Sequence, residues 1–486
     1  MTTTPAPTPS LPHLPILRAG RPYRSLDVEI LRDLRTGEPV AEVSQAHPGL
    51  VARDLLQAAA HRRQLEALPY RELLAICRRA GELFASATLP LDFTGAAQQS
   101  PEDYLRQLAA TTGMPIALGR LNLQKIAGVL DQIEAVLDGL TRGVDLSLLD
   151  RGWGDAGGRR LSYLRLTDNL GAILPNNSPG VHNLWLPAIP LKTPLVLKPG
   201  SSEPWTPLRL ASAFLAAGCP PEAFSVYPAR HAAANEILLK TGRSLFFGDA
   251  ATVASWRGSG KVQVHGPGWS KVIFGADAAP AWADHLELIA TSVAANGGRS
   301  CINASGVWLP SHGEELARAL AAKLVQIEAR ELDDPEARLA AFADPGVAEG
   351  ISRHIDEQLQ VPGARDLTAE LRPAGRIAKK GGCTFLLPTV IHLSDPEHPL
   401  AAAEFTFPFV TVVDCPEEAL FEAIGPTLIG TVLSDDPGCR RRALECRHID
   451  RLNLGAVATP AISWDQPHEG NLFELLYHQR AFQLAS

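Results

Sequence analysis

The segment Leu195-Val-Leu-Lys-Pro-Gly-Ser-Ser202 carries the pattern that decides the fold. A short apolar run ends in a lysine and passes at once into a loop of Pro, Gly and Ser. The same succession of apolar run, loop and helical segment repeats from about residue 170 to 275. Strands that alternate with helices of about ten residues are typical of βαβ units and a parallel sheet. We therefore predict an α/β fold that binds ligands beyond the carboxyl ends of its strands.

The apolar runs of this middle region predict six short strands. These are Gly171–Leu174, Leu195–Lys198, Phe224–Tyr227, Leu245–Gly248, Val262–His265 and Val272–Phe274. Residues 49–140 instead repeat Leu, Ile and Ala at intervals of three and four, which predicts helices. Residues 145–166 are charged and Gly-rich and then alternate, which predicts a β-hairpin or an excursion from the main body. A second α/β region is predicted from Cys301 to about residue 460.

The bulk composition excludes several classes of protein. At 486 residues the chain is too long for one compact core, so two or three domains are expected. A hydrophobic fraction of 45%, a charged fraction of 20% and a mean hydropathy near zero are typical of a soluble globular protein. The net charge of -8 gives no reason to expect a nucleic acid or an anionic membrane as partner.

The cysteines and the first residues indicate the compartment. Seven cysteines are scattered without a C-x-x-C pair, which argues against a disulfide framework and a zinc cage and fits a reducing cytosol. Residues 1–15 are rich in Thr and Pro and predict a disordered tail, not a signal peptide. No apolar stretch is long enough to span a bilayer. We expect a cytoplasmic protein without a membrane partner or a metal site.

Cys301 stands in the segment Asn296-Gly-Gly-Arg-Ser-Cys301, after an apolar helical run and before a strand-like run. Small residues around a cysteine favour contact with a ligand, and a thiolate is a strong nucleophile whose reactivity depends on local positive charge. Arg299 could supply part of that charge. A buried cysteine that behaves as a small hydrophobe is the other interpretation, and the segment alone leaves both open.

Seven short motifs follow one another along the chain. They are Thr112-Gly-Met-Pro115, Leu174-Pro-Asn-Asn-Ser-Pro179, Val196-Leu-Lys-Pro199, Gly218-Cys-Pro-Pro221, Asn296-Gly-Gly-Arg-Ser-Cys301, Pro388-Thr-Val390 and Glu404-Phe-Thr-Phe-Pro408. In order and spacing they are similar to T-G-x-P, P-W-N-F-P, V-L-K-P, G-x-P, N-x-G-Q-x-C, P-T-V and E-I-F-G-P of the aldehyde dehydrogenase superfamily. The chain resembles this family over nearly its whole length.

The resemblance implies roles for particular residues. Cys301 would be the nucleophile, and Asn177 would stabilise the negative oxygen of the tetrahedral intermediate together with the Cys301 backbone N–H. Lys198 would bind the adenosine ribose of NAD or NADP, and Glu404 the nicotinamide ribose. Further cofactor contacts are implied for Pro175, Ser201, Gly248, Gly266 and Phe407. Without the resemblance, Asn177 reads as a turn residue, and Lys198 and Glu404 as surface charges.

One departure from the family concerns the acyl acceptor. Hydrolytic members carry a glutamate in E-L-G-G as the general base, and His265 stands at that position here. A histidine could act as the base, because it titrates near neutrality. The run Gly266-Pro-Gly268 is also similar to that of CoA-acylating members, which lack the glutamate because CoA takes the acyl group. A structural histidine at a strand end is a third interpretation.

Other departures concern the cofactor. Asp249 follows Gly248 where the family has G-S-T, and a carboxylate near phosphates is unfavourable unless it turns away to cap the next helix. Ser201 stands where NAD-preferring members often carry a glutamate, so the choice between NAD and NADP stays open. No G-x-G-x-x-G occurs, which counts against an ordinary Rossmann site.

Three functions follow for the chain. The first is NAD(P)-dependent oxidation of an aldehyde, the second is interconversion of aldehyde and acyl-CoA, and the third is a scaffold without turnover. The resemblance implies a nucleotide-binding domain at 20–140 and 165–275, a catalytic domain at 276–455, and a bridging element from 141–164 and 456–486 that builds homodimers or homotetramers. His468 and Glu469 lie in a region that often closes the substrate tunnel in relatives, and they receive no role.

Overall fold

The computed structural model describes residues 11–372 and 374–484. The helices, in chain order, are α1 (Pro48–Asp54), α2 (Ala58–Glu66), α3 (Tyr70–Ser86), α4 (Pro101–Thr112), α5 (Ile116–Asp131), α6 (Ile133–Thr141), α7 (Leu148–Arg151), α8 (Trp205–Ala216), α9 (His231–Lys240), α10 (Ala250–Ala254), α11 (Leu286–Ala294), α12 (Gly313–Leu324), α13 (Pro345–Gln358), α14 (Leu367–Leu371), α15 (Leu420–Ala423), α16 (Pro437–Glu445) and α17 (Leu472–Leu476). Within the described ranges no helix is both long and apolar enough to cross a bilayer.

The strands are β1 (His13–Leu14), β2 (Ile16–Arg18), β3 (Arg21–Tyr23), β4 (Val28–Arg32), β5 (Pro39–Ser44), β6 (Leu89–Pro90), β7 (Gln98–Gln99), β8 (Gly154–Ala156), β9 (Arg159–Arg165), β10 (Leu170–Ile173), β11 (Leu195–Lys198), β12 (Phe224–Val226), β13 (Arg243–Phe247), β14 (Val262–His265), β15 (Ser270–Phe274), β16 (Ala304–Leu309), β17 (Ala364–Asp366), β18 (Ile377–Lys380), β19 (Cys383–Leu386), β20 (Thr389–Leu393), β21 (Phe409–Asp414), β22 (Thr427–Leu433), β23 (Ile449–Leu454) and β24 (Tyr477–Arg480).

The helices begin and end where local chemistry favours it. At the start of α4, Ser100 and Asp103 form a reciprocal capping box and Pro101 occupies the first turn. Gly113 ends α4 in the left-handed conformation with φ 74°. This glycine separates α4 from α5.

The first large sheet runs in the order β14-β13-β10-β11-β12-β2-β3, and β10 to β14 are parallel. The chain moves from β10 to β12 in one direction and then returns to β13 and β14 on the other side of β10. Such a reversal leaves a crevice beyond the carboxyl ends of the strands, where open α/β sheets bind ligands. The predicted parallel α/β sheet is confirmed.

The second large sheet runs in the order β17-β20-β21-β16-β15-β22-β23 and is parallel except for β17. It contains β15, which the sequence analysis assigns to the first domain by placing the boundary at residue 275. The chain therefore passes from one sheet to the other between His265 and Ser270. Separate apolar clusters surround the two sheets.

A three-stranded antiparallel sheet, β24-β9-β8, joins the predicted hairpin to the C-terminal segment. The β8–β9 pairing agrees with the hairpin prediction for residues 145–166. Residues 1–10 of the predicted disordered tail lie outside the described residues. Its last part is ordered, contrary to prediction, because His13–Leu14 pairs with β5 and His13 bonds to Ser44.

Candidate active site

Three loops meet between the two large sheets. One follows β10 (175–178), one joins β14 to β15 (266–269), and one precedes β16 (296–303). The second and third loops touch closely: a Cβ on Gly268 would lie 1.9 Å from the carbonyl oxygen of Cys301. The hydroxyl of Ser270 donates to the same carbonyl at 2.8 Å. A glycine at 268 therefore lets the strand-end loop approach the backbone of Cys301.

Side-chain amides fix the first loop against the third. The Asn177 Nδ2 donates to the carbonyl of Arg299 at 3.0 Å. The Asn296 Nδ2 donates to Ser178 Oγ at 3.0 Å, and Asn122 on α5 donates to Asn296 Oδ1 at 2.7 Å. Asn177, predicted to stabilise an oxyanion, is thus held beside the segment that carries Cys301.

Cys301 lines a cavity of about 200 Å³ between α5, these loops and the C-terminal segment. Its thiol donates to Glu469 Oε1 at 3.1 Å. Burial, followed by the charge and the hydrogen bond of Glu469, raises the pKa of the Cys301 thiol. The resting side chain is therefore a thiol whose proton points at a carboxylate, and it is reachable from a cavity.

The carboxylate of Glu469 joins Cys301 to His265. Its second oxygen lies 3.0 Å from His265 Nδ1, and the imidazole stacks on Phe247 with ring centroids 4.5 Å apart. Burial acts to raise the pKa of Glu469, but the hydrogen bond and charge of His265 and the charge of His468 outweigh it and lower the pKa to about 2. His265 Nε2 is buried and has no partner within residues 11–372 and 374–484.

The arrangement changes the place of His265 in the site. Glu469 lines the Cys301 cavity, whereas His265 lies behind it and lines a smaller, mainly apolar cavity. His265 is therefore linked to the Cys301 thiol through the carboxylate of Glu469. Sequence reasoning gave Glu469 no role, because the contacts that reveal it join residues 168 and 204 positions apart.

Arg299 does not provide the positive charge near Cys301 that its position suggests. Its buried guanidinium donates to the carbonyls of Thr112 and Ala341 and lies over the ring of Phe342. Arg299 thus joins the loop that carries Cys301 to the end of α4. An arginine at the position of the glutamine in N-x-G-Q-x-C therefore has a structural role here.

Glu404 faces the same group of loops from the second domain. Its carboxylate accepts the backbone N–H of Gly268 at 3.1 Å and that of Trp269. Burial raises the pKa of Glu404 to about 7, although these amides and Lys271 favour the charged form. Lys271 in turn donates to the carbonyl of Trp269 at 2.7 Å and to Pro426 and Thr427.

The residues predicted to hold the adenosine part of the cofactor lie at the carboxyl ends of β10 and β11. Asn176, next to Pro175, accepts the backbone N–H of Ser202 at 2.8 Å and lies 3.4 Å from Ser201 Oγ. Lys198 ends β11, and burial lowers the pKa of its ammonium group. Lys198 at the end of β11 and Ser201 in the loop after it therefore lie beside the loop that follows β10, at the edge of the sheet where a ligand would bind.

The remaining predicted cofactor residues, Gly248, Gly266 and Phe407, differ in where they lie. Gly248 directly follows β13. Asp249 caps α10 by accepting the N–H of Thr252 at 2.7 Å, the orientation that keeps a carboxylate turned away from phosphates. Gly266 follows β14 directly. Phe407 is only 3% exposed and packs with neighbouring phenylalanines, so its contact with a cofactor stays a prediction.

Comparison with known proteins places this geometry in a family. No curated protein matches the chain. Solved structures match over nearly the full length. A succinate-semialdehyde dehydrogenase from Burkholderia pseudomallei covers 98% of this chain and 99% of its own, with TM-score 0.76 and 20% identity. An E. coli NADP dependent enzyme covers 96% and 97%, with TM-score 0.76 and 18% identity.

An indole-3-acetaldehyde dehydrogenase complexed with NAD+ covers 97% of this chain and 96% of its own, with TM-score 0.75 and 16% identity. At these identities the structures show a shared fold. The model of the aldehyde dehydrogenase family matches residues 27–424, which is most of the chain. The chain belongs to the aldehyde dehydrogenase family.

Proposed function

We propose that the protein oxidises a small aldehyde to the acid with NAD+ or NADP+, through a thioester on Cys301. The observation that carries the proposal is the contact of the Cys301 thiol with Glu469, which also binds His265. Aldehyde, oxidised nicotinamide and water give carboxylic acid, reduced nicotinamide and a proton. The solved structures with NAD+ and the NADP dependent enzyme support a nicotinamide cofactor.

In the first step the sulfur of Cys301 attacks the aldehyde carbon as its proton passes to Glu469. The carbonyl oxygen becomes negative and needs donors that already point towards it. The backbone N–H of Cys301 and the second N–H of the Asn177 amide serve this purpose, since the first N–H of Asn177 is bound to Arg299. Collapse of the thiohemiacetal, with its hydride going to the acceptor that a bound cofactor would supply, leaves a thioester on Cys301. Glu469 releases the proton that it took from sulfur to solvent before the second step.

In the second step a water molecule takes the acyl group from sulfur. Glu469 is the base for this water, because its carboxylate reaches the space beside Cys301. His265 orients Glu469 and stabilises its charge through the bond from Nδ1. The glutamate missing from position 265 is thereby replaced by one from the C-terminal segment.

The side chains present fit a nicotinamide dinucleotide at its two riboses. Lys198 and Ser201 would hold the adenosine ribose, and Glu404 the nicotinamide ribose. The bound cofactor would supply the hydride acceptor. Asp249 stands where the family has a serine. Its carboxylate caps the N-terminus of α10 by accepting the N–H of Thr252.

Transfer to CoA is the second candidate, because Gly266-Pro-Gly268 is similar to the run of CoA-acylating members, which also lack the glutamate that His265 replaces here. Absorbance of NAD(P)H separates the two functions. Aldehyde oxidation without CoA supports the first, and oxidation of NAD(P)H that requires acyl-CoA supports the second. Cys301→Ala should abolish either reaction, and a variant as active as the wild type would refute the thioester. No turnover with any aldehyde or acyl-CoA would support a scaffold.

We also infer a cytoplasmic homodimer or homotetramer. Seven free cysteines fit a reducing compartment. The family resemblance implies assembly through the bridging element, and its sheet β24-β9-β8 would form the contact surface. Light scattering on the purified chain would measure the mass, and a monomer at micromolar concentration would contradict this inference.

A further inference from the structure

Lys125 contributes a charged side chain, with an ammonium group, to the lining of the cavity that contains Cys301. It lies on α5, four residues after Leu121, so the two side chains share a face of the helix. Both line the cavity together with Ser300, Cys301 and Glu469. A cation therefore stands in the space where an aldehyde would meet the nucleophile.

The ammonium group of Lys125 belongs to a half-buried side chain. Burial lowers the pKa of its ammonium group, and the charges of Cys301 and Glu469 only partly offset this. Within residues 11–372 and 374–484 it makes no hydrogen bond or ion pair. Glu469, the acidic residue of the cavity lining, is already bound to His265 and Cys301.

Two lysines, Lys192 and Lys271, are more deeply buried than Lys125, and both are paired. Lys192 lies 2.6 Å from a carboxylate oxygen of Asp150, and Lys271 donates to three oxygens. A buried charge without a partner is costly, and such groups are normally paired. The ammonium group of Lys125 lines a cavity, so an anion that enters the cavity would pair with it and remove this energetic cost.

The size of the cavity restricts the ligand. Its volume of about 200 Å³ is below the range of about 300–1,000 Å³ usual for drug-sized ligands. Asn122, Asn296 and Asn303 add polar groups to its lining. The rest of the lining is mostly apolar, so a short molecule with a carbon chain and a polar end fits this space better than a long one.

We propose that Lys125 selects small aldehydes that carry an anionic group, a carboxylate or a phosphate, at the end remote from the carbonyl. The proposal rests on the proposed function, because it takes the aldehyde carbon to be at Cys301. The ammonium of Lys125 binds the anion and orients the other end of the substrate towards sulfur. A different role, in which Lys125 only stabilises the thiolate of Cys301, would give no preference for anions.

Steady-state kinetics with matched aldehydes tests the selection. Butanal is compared with 4-oxobutanoate, and glyceraldehyde with glyceraldehyde 3-phosphate, so the two arms separate carboxylate from phosphate. Lys125→Met removes the charge at similar length, and Lys125→Arg retains it. Gln124→Met is the control, because Gln124 is exposed and does not line the cavity.

We expect Lys125→Met to lower kcat/KM for the anionic aldehyde by about 10- to 100-fold, the usual effect of losing a charge-assisted bond. Most of the loss should be in KM, and the neutral aldehyde should change by less than about threefold. Lys125→Arg should recover most of the preference. Equal losses for anionic and neutral aldehydes would overturn the proposal.

Alkylation of Cys301 provides a measurement that needs no dehydrogenase activity. Iodoacetate is anionic and iodoacetamide is neutral, and both attack the same sulfur, so the reactivity of the thiolate cancels in their rate ratio. Lys125→Met should lower the iodoacetate-to-iodoacetamide ratio by about tenfold, and Gln124→Met should leave it unchanged. An unchanged ratio in Lys125→Met would refute anion recognition. A lowered ratio in a protein that oxidises no aldehyde would refute only the proposed function.

Discussion

Replacing Glu469 by Gln should make Cys301 more reactive and the enzyme slower. The Cys301 sulfur and the Glu469 oxygen lie 3.1 Å apart, and the carboxylate is one cause of the raised pKa of the thiol. Glutamine keeps the volume of the side chain but removes its charge. The thiol then loses the negative neighbour that opposes its ionisation, while the reaction loses its base.

The size of the effect follows from the distance. Two unit charges 3.1 Å apart repel by roughly 5 kcal/mol at an effective dielectric constant of about 20. The hydrogen bond from His265 to the same carboxylate offsets part of this repulsion, so we expect a net effect of about 1.5–3 kcal/mol, which favours the thiolate and lowers the pKa of Cys301. A thiolate of lower pKa is also a weaker nucleophile, with a Brønsted slope of about 0.4–0.5. The net expectation is alkylation about 3- to 10-fold faster at pH 7.

Iodoacetamide labelling of Cys301, followed by mass spectrometry at several pH values, measures the rate and the pKa. Aldehyde turnover should fall by about 10²- to 10⁴-fold, the range for loss of a general base. Glu474→Gln is the control, because Glu474 is exposed on α17 in the same segment. Slower alkylation of Glu469→Gln, in a protein with unchanged melting temperature, would refute the electrostatic reasoning.

Two further substitutions test how the loops are held. Gly268→Ala places a methyl group against the carbonyl of Cys301 and should cost about 1–3 kcal/mol of stability and most of the activity. Gly260→Ala has open space around it and is the control; equal urea midpoints for the two variants would contradict the close contact. Burial lowers the pKa of Lys271 from its usual 10.5 to about 7. Between these two pH values the unfolded chain therefore binds more protons than the folded one. Lys271 thus makes the free energy of unfolding rise with pH in this range, by up to about 1.4 kcal/mol per pH unit. Lys271→Met should lose that rise in urea titrations at pH 7.5 and 9.5, and parallel pH profiles for variant and wild type would count against it.

Local patterns were sufficient to predict much of the fold. The strands at Leu195–Lys198 and Val262–His265 have the predicted bounds, because each is a short apolar run with a clear loop beside it. The strands between His13 and Ser44 were not predicted. All are short, and β3 and β4 are also charged and largely exposed. An exposed edge leaves little hydrophobic periodicity in the sequence.

The site was predictable only in part, for a related reason. The loops that carry Asn177 and Cys301 are short motifs, so a resemblance finds them. The roles of Glu469 and Arg299 depend on where a side chain points after folding. Glu469 reaches Cys301 from the C-terminal segment, and the charge of Arg299 goes to two carbonyls instead of the nucleophile.

The carboxylate of Glu404 has a consequence for the order of events. It holds the amides of Gly268 and Trp269, and that loop touches the Cys301 carbonyl. A cofactor ribose that binds Glu404 through its hydroxyls would compete with these amides. Cofactor binding and the position of the Cys301 sulfur are therefore thermodynamically linked. By reciprocity, acylating the sulfur must change the affinity for the coenzyme by the same factor that the coenzyme changes acylation at equilibrium.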